Sequence, residues 1–246
     1  MDPVSKNTVA SLSALTRQYE ATTSNLANAA TVGYKRRVTA FHQEFARAMD
    51  LEARTRQDYP VAGRSRVDFQ PGGFVQSQHP LDLAIGGDGF FAIQTPRGEV
   101  FTRNGCFRLG PNGQLVDGNG FLVAGVDGPI TIPANTGLSQ IRVGDDGTVS
   151  AGANVVGKVR VVTFSDPTQL TALGNGFYQN QNPDVLRGAD DPNAKIAQGF
   201  RESSNVNVVE ELVNMIAVTR LYESGLKTVS SEDERMKTLI QIATTA

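Results

Sequence analysis

The chain has 246 residues, enough for one large domain or two small ones with a substantial core. Hydrophobic residues make up 39%, which is low for a globular chain, and 25 glycines with no tryptophan mark it as folded but rich in turns. Lys and Arg number 23 against 25 Asp and Glu, and neither sign gathers into a tail, so no basic field exists to collect nucleic acid or an anionic membrane.

The first 20 residues, "MDPVSKNTVASLSALTRQYE", lack both a basic start and a compact apolar block, so they do not read as a cleavable secretory signal. Leu12, Leu15, Tyr19, Thr22, Leu26 and Ala29 follow a 3-4-3-4-3 spacing and share one helix face. Asp2-Pro3 suits the start of that helix and Gly33 its stop. Residues 36–64 are polar and Arg-rich without a clean period, and read as a connector.

From about 65 to 200 the pattern changes. Gly, Asn and Asp recur every 6–12 residues between short apolar runs such as Phe90-Phe91-Ala92-Ile93, Val100-Phe101 and Phe121-Leu122-Val123. "IRVGDDGTVSA" predicts a hairpin around Asp145-Asp146-Gly147, and "GKVRVVTFSD" a strand ending at Asp166-Pro167. This stretch is an antiparallel β domain.

The C-terminal region returns to helix. Val208, Leu212, Met215, Thr219, Tyr222, Leu226, Val229, Asp233, Met236 and Ile240 alternate steps of four and three, which is the signature of a coiled-coil seam. Ser203-Ser204-Asn205 supplies capping chemistry ahead of it. The predicted fold is therefore mixed α and β. It has an N-terminal helix (1–35), a connector (36–64), an antiparallel β-rich central domain (65–200) and a C-terminal helix (201–246), the two helices making coiled-coil-like contacts. Helices gain most of their stability from packing, so the two stripes must be covered by each other or by copies of the chain; the length of the second seam favours copies.

No catalytic or metal constellation assembles. His42 and His79 stand without spaced ligands, and Cys106, the one cysteine, reads as a buried small hydrophobe in a strand region. Gly86-Gly87-Asp88-Gly89 precedes an apolar strand rather than a helix N-terminus, so a hairpin turn is expected there instead of a phosphate loop. Asp117-Gly118-Asn119-Gly120 and Asp145-Asp146-Gly147 miss the calcium-loop pattern and read as turns. Arg64 and Arg66 with Lys35-Arg36-Arg37 read as a solvated basic face. The chain is expected to be no enzyme and to need no cofactor or metal.

Three segments carry a family resemblance. "TSNLANAATVGYKRR" (residues 23–37) resembles the N-terminal motif of the flagellar hook and basal-body rod family: Asn25, Leu26, Ala27, Asn28, Ala29, Thr31, Gly33, Tyr34 and Lys35 match it, while Ser24 and Ala30 depart. Residues 81–125 resemble the family's middle motif and residues 198–243 its C-terminal motif. The resemblance implies a rod subunit that polymerises through its terminal helices, with partners in copies of itself and other rod and hook proteins. It also implies unfolded export through the flagellum's own type III apparatus to a periplasmic rod, with neither nucleic acid nor membrane insertion involved.

The modest length leans to the proximal rod type and "SNVNVVEELVNMI" (residues 204–216) to the distal one. The expected subunit contacts are Leu12, Leu15, Tyr19, Asn25, Leu26, Asn28, Asn205, Asn207, Leu212, Met215, Tyr222, Leu226 and Val229. On this reading Asn25 and Asn28, about a turn apart, bond across subunits, and Lys35-Arg36-Arg37 sit near the last helix carbonyls; the plainer reading has the asparagines ending one helix. The alternative for the whole chain is a soluble β-domain binding module whose helices pair within one chain.

Overall fold

The computed structural model describes residues 3–39, 65–181, 188–191 and 193–245. The chain forms two compact units. One takes residues 1–27, 37–66 and 207–246, and the other takes residues 28–36 and 67–206, so the chain passes between them four times. Most of the expected connector, with His42 and Arg64, lies outside the described residues.

The first unit is helical. Helix α1 spans Pro3–Ala27 and helix α2 spans Val208–Thr245, and the two pack against each other. On α1, Ala14, Leu15, Ala21 and Thr22 are buried; on α2, Glu211 and Val218 are buried and Gly225 is half-buried. Ala14 and Ala21 are seven residues apart, as are Glu211, Val218 and Gly225, so each helix repeats its inward face every two turns. Small residues let the axes approach: a Cβ on Gly225 would stand 2.9 Å from Leu12 Cδ2. Helix α1 ends at Ala27, six residues before Gly33, and Asn207 rather than the Ser203–Asn205 stretch begins α2. Among the described residues no helix is long and apolar enough to cross a membrane.

The second unit is antiparallel β. Its main sheet runs Thr171–Gly174, Phe177–Gln179, Gly98–Thr102, Phe90–Thr95, Leu122–Gly125, Leu115–Val116, Arg108–Leu109. Val161–Phe164 joins through Phe90 and Phe91 and carries Gly188–Asp190 on its other side. Strand Phe90–Thr95 explains its own sequence. Phe91 and Ile93 enter one core cluster, Phe90 and Ala92 a second on the opposite face, because successive side chains point to opposite faces of a sheet. A strand covered on both sides reads as a continuous apolar run, not as an alternation.

The expected hairpin at 145–147 is present, with Ile141 opposite Ala151 and Val143 opposite Val149. The single strand expected across "GKVRVVTFSD" is two: Asn154–Lys158 finishes a three-stranded meander, and Val161–Phe164 enters the main sheet. The turn at Gly86–Gly89 is a corner instead of a hairpin, since Leu83–Gly86 pairs with Lys195–Gln198 and Phe90–Thr95 with Gly98–Thr102. Cys106 is half-buried, not buried.

Candidate assembly surface and the buried ionic junction

The most concentrated polar chemistry in the β unit lies where residues 33–36 meet residues 68–72 and 202–205. Lys35 Nζ donates to Glu202 Oε1 at 2.6 Å and to the Gln70 carbonyl at 2.6 Å, and neither charged side chain is exposed at all. Glu202 Oε1 also accepts the Gly72 N–H at 2.9 Å, and its backbone oxygen accepts the Gly33 N–H at 2.8 Å. Arg103 Nη1 lies 3.5 Å from Glu202 Oε2 and donates to the Gly87 carbonyl at 2.9 Å, with the guanidinium 5.2 Å from the centre of the Phe90 ring.

Burial pushes the Lys35 ammonium below its ordinary value and Glu202 opposes that push; burial does the same to Arg103, again against Glu202. A charge removed from water is tolerated only when paired and hydrogen-bonded, and here two cations share one carboxylate. Lys35 is thus not part of a solvated basic face, and its ammonium donates to Gln70 and Glu202. Its salt bridge leads it to the far end of the β unit's chain.

The asparagines hold backbone. Asn25 Nδ2 donates to the Arg37 carbonyl at 2.8 Å, and its Oδ1 accepts the Arg37 N–H at 2.7 Å. Asn205 does the same with three partners: Oδ1 accepts the Arg36 N–H at 2.7 Å, and Nδ2 donates to the carbonyls of Asp68 and Gln70 at 2.9 and 3.0 Å. Asn207 Oδ1 accepts the N–H groups of Val209 and Glu210 and so caps α2. Half-buried Asn28 accepts the Thr31 hydroxyl at 3.2 Å. The Asn28 bond to Thr31 and the Asn207 cap are local to helix ends, whereas Asn25 reaches past its helix to the backbone of Arg37.

The apolar positions divide in two. Leu15 is buried, and Leu12, Leu26, Met215 and Val229 are half-buried; Tyr19, Leu212, Tyr222 and Leu226 are exposed. At about 100° per residue, Glu211, Val218, Gly225 and Val229 form the covered wedge of α2. Val208, Leu212, Ile216 and Leu226 lie on the flank beside it, with Val209 further round. Leu212 is 44% exposed, Leu226 46%, Ile216 56% and Val209 70%. The side of α2 turned inward carries Glu211, Val218 and Gly225, one position from Leu212, Thr219 and Leu226, which stay exposed.

Sequence reasoning passed over Lys35, Arg103 and Glu202 as a set. Each lies two or three positions from a glycine, in Gly33-Tyr34-Lys35, Arg103-Asn104-Gly105 and Gly199-Phe200-Arg201-Glu202, a pattern too common in this chain to mark them. Val209, Val213 and Ile216, all exposed, fall outside the heptad positions and were missed for that reason. Among the described residues no three of His, Cys, Asp and Glu come together in a way that would hold a metal. His79 is partly exposed, 3.9 Å from Asp82. Asp117 Oδ1 accepts the N–H groups of Asn119 and Phe121, which is turn chemistry.

Comparison with known proteins adds the following. A family model described as "Flagella basal body rod protein" matches residues 8–35. One for the "Flagellar hook protein FlgE/F/G D1 domain" matches residues 84–151, and one for the "Flagellar basal body rod FlgEFG protein C-terminal" matches residues 197–242. Flagellar basal-body rod protein FlgF of Mesorhizobium japonicum is 33% identical over 235 residues, covering 92% of this chain and 93% of the relative. FlgF of Salmonella typhimurium is 34% identical and covers 88% of each chain. Rod protein FlgG of Buchnera aphidicola is 32% identical, covering 87% of this chain and 90% of its own. The two named types match about equally well.

Proposed function

Because this chain belongs to the flagellar basal-body rod protein family, we propose that it is a structural subunit of the basal-body rod that polymerises through its terminal helices into the axial drive shaft. The observation that carries the proposal is the uncovered apolar flank of α2. Helix α1 covers one wedge of it, and Val208, Leu212, Ile216 and Leu226 remain in water on the next. A contiguous exposed apolar stripe on a long helix marks an interaction surface. A neighbouring copy's helix has the periodicity to fill it.

The contact set of this account is Leu212 and Leu226 on the open flank, Tyr222 exposed at the edge of the covered wedge, and Tyr19 exposed on α1. Leu12, Leu15, Leu26, Met215 and Val229 hold the helical unit in shape for that contact. Asn25, Asn28, Asn205 and Asn207 fix where the helices begin and end. Within the terminal segments 1–35 and 201–246 the two helices serve assembly, while residues 28–36 and 202–206 belong with residues 67–200 to the body. Partners are copies of the chain and the other rod and hook proteins of the basal body, reached after unfolded export by the type III apparatus. The chain works by binding its own kind, not by catalysis.

Pairing of α1 with α2 inside one chain is also what the alternative reading, a soluble β-domain module, requires. The two readings part at the open flank, which a permanent monomer would have to keep exposed. A chain ending at Val206 retains every residue of the buried junction but lacks α2. Supplied to cells lacking the native subunit, it should fold its β unit and fail to join a rod. Normal rods built from that truncated chain would overturn the proposal.

A further inference from the structure

Lys35 and Glu202 are 167 residues apart in the chain, yet they occupy one dry site. Hydrogen bonds tie residues 33–36 to two other segments of the β unit. Arg36 donates to Asn205 and accepts from Asp68, Lys35 donates to Gln70 and Glu202, and Gly33 donates to Glu202. Those two segments in turn hold each other, through Gly72 to Glu202 and Asn205 to Asp68 and Gln70. No two of the three segments satisfy the site without the third. Arg103 is no substitute for Lys35: it lies 3.5 Å from Glu202 Oε2, which has no hydrogen-bond partner, and its Nη1 already donates to Gly87.

We propose that the Lys35–Glu202 pair is a closure latch: the β unit reaches its native state in one cooperative step that requires both its N-terminal segment, residues 33–36, and its C-terminal segment, residues 202–205. Without residues 202–205 both Lys35 and Arg103 lose their carboxylate, and without residues 33–36 Glu202 loses the cation hydrogen-bonded to its Oε1; proteins tolerate such buried, under-paired charges least. Resting on the export reading above, one consequence follows. A chain that has delivered one end only cannot close the latch, so an incompletely exported subunit is not presented in finished form.

The test is native-state hydrogen exchange on the purified full chain. The N–H groups of Gly33, Arg36, Asp68, Gly72 and Ser203, all bonded within the junction or beside it, should exchange through one shared opening. Lys35→Met should accelerate all five by a common factor of at least about ten and leave the meander of residues 141–158 unchanged. Acceleration of Gly33 and Arg36 alone would overturn the latch. If Lys35→Met does not fold, the parent chain decides: the five groups should share one opening free energy, and an opening of Gly33 and Arg36 distinct from that of Asp68, Gly72 and Ser203 would overturn the latch. The measurement is made on unpolymerised protein, so its failure leaves the rod reading standing, and failure of rod assembly leaves the latch standing.

Discussion

Asn25 and Arg37 exchange two hydrogen bonds across the turn that follows α1, the side chain of one treating the backbone of the other as a partner strand would. Asn25 is buried, so water cannot replace either bond. Asn25→Ala leaves the Arg37 N–H and carbonyl without these partners and should cost about 1–3 kcal/mol. Asn25→Asp should cost at least as much, because it sets a carboxylate oxygen against the Arg37 carbonyl. Denaturant unfolding followed by helical circular dichroism checks both.

Gly33 has φ +68°, and a Cβ there would stand 2.5 Å from the Asn104 backbone nitrogen. Gly33→Ala therefore combines backbone strain with a clash against main chain that cannot swing aside. The loss should exceed about 3 kcal/mol and fall on the β unit. Near-ultraviolet circular dichroism of its tyrosines and phenylalanines reads it.

Gly225 is the contrasting case. A Cβ there meets the tip of a flexible leucine, 2.9 Å away, and alanine gains about 1 kcal/mol of helix propensity over glycine. Moving Leu12 off its rotamer costs about the same. Gly225→Ala should change stability by less than about 1 kcal/mol, whereas Gly225→Leu should force the helices apart and reduce helical signal.

Burial, with the Asp82 carboxylate behind it, pushes the Cys106 thiol above its ordinary 9.0. As pH climbs past 9.0 the unfolded chain releases the thiol proton first, so stability falls through the window up to the folded thiol's own value. Lys35 acts in the opposite sense. Its folded value lies below 10.5, so the folded chain loses that proton first and stability rises towards 10.5. The difference between parent and Cys106→Ser isolates the thiol: the variant should lack the downward contribution. At pH 8, iodoacetamide should alkylate native Cys106 more slowly than the unfolded chain, because the thiolate is the reacting form.

Much of the fold is legible in the sequence because its devices are local. Phe90–Ile93 announces a β run between turns, and Asp145-Asp146-Gly147 a hairpin, without reference to anything distant. Lys35 was misread because its partner is 167 residues away, and no local pattern distinguishes a buried lysine from a solvated one. Which side of α2 meets α1 is not legible for a related reason. Heptad spacing finds the apolar positions, but which of them α1 covers depends on where small residues let the axes meet. Gly225 is not apolar in any periodicity count, yet it marks that approach.

The central claim is that the open flank of α2 joins one subunit to the next. Leu212 and Leu226 are both exposed in the single chain, so Leu212→Asp and Leu226→Asp should each cost it about 1 kcal/mol, from helix propensity and the covered part of the side chain, and leave it folded. In a packed interface the same aspartate would be a buried, unpaired charge. The deciding measurement is recovery of basal bodies from cells carrying each variant in place of the native subunit, with folding of the purified variants checked in parallel. The account predicts folded protein and no completed rod. Intact rods containing Leu212→Asp/Leu226→Asp subunits would contradict it.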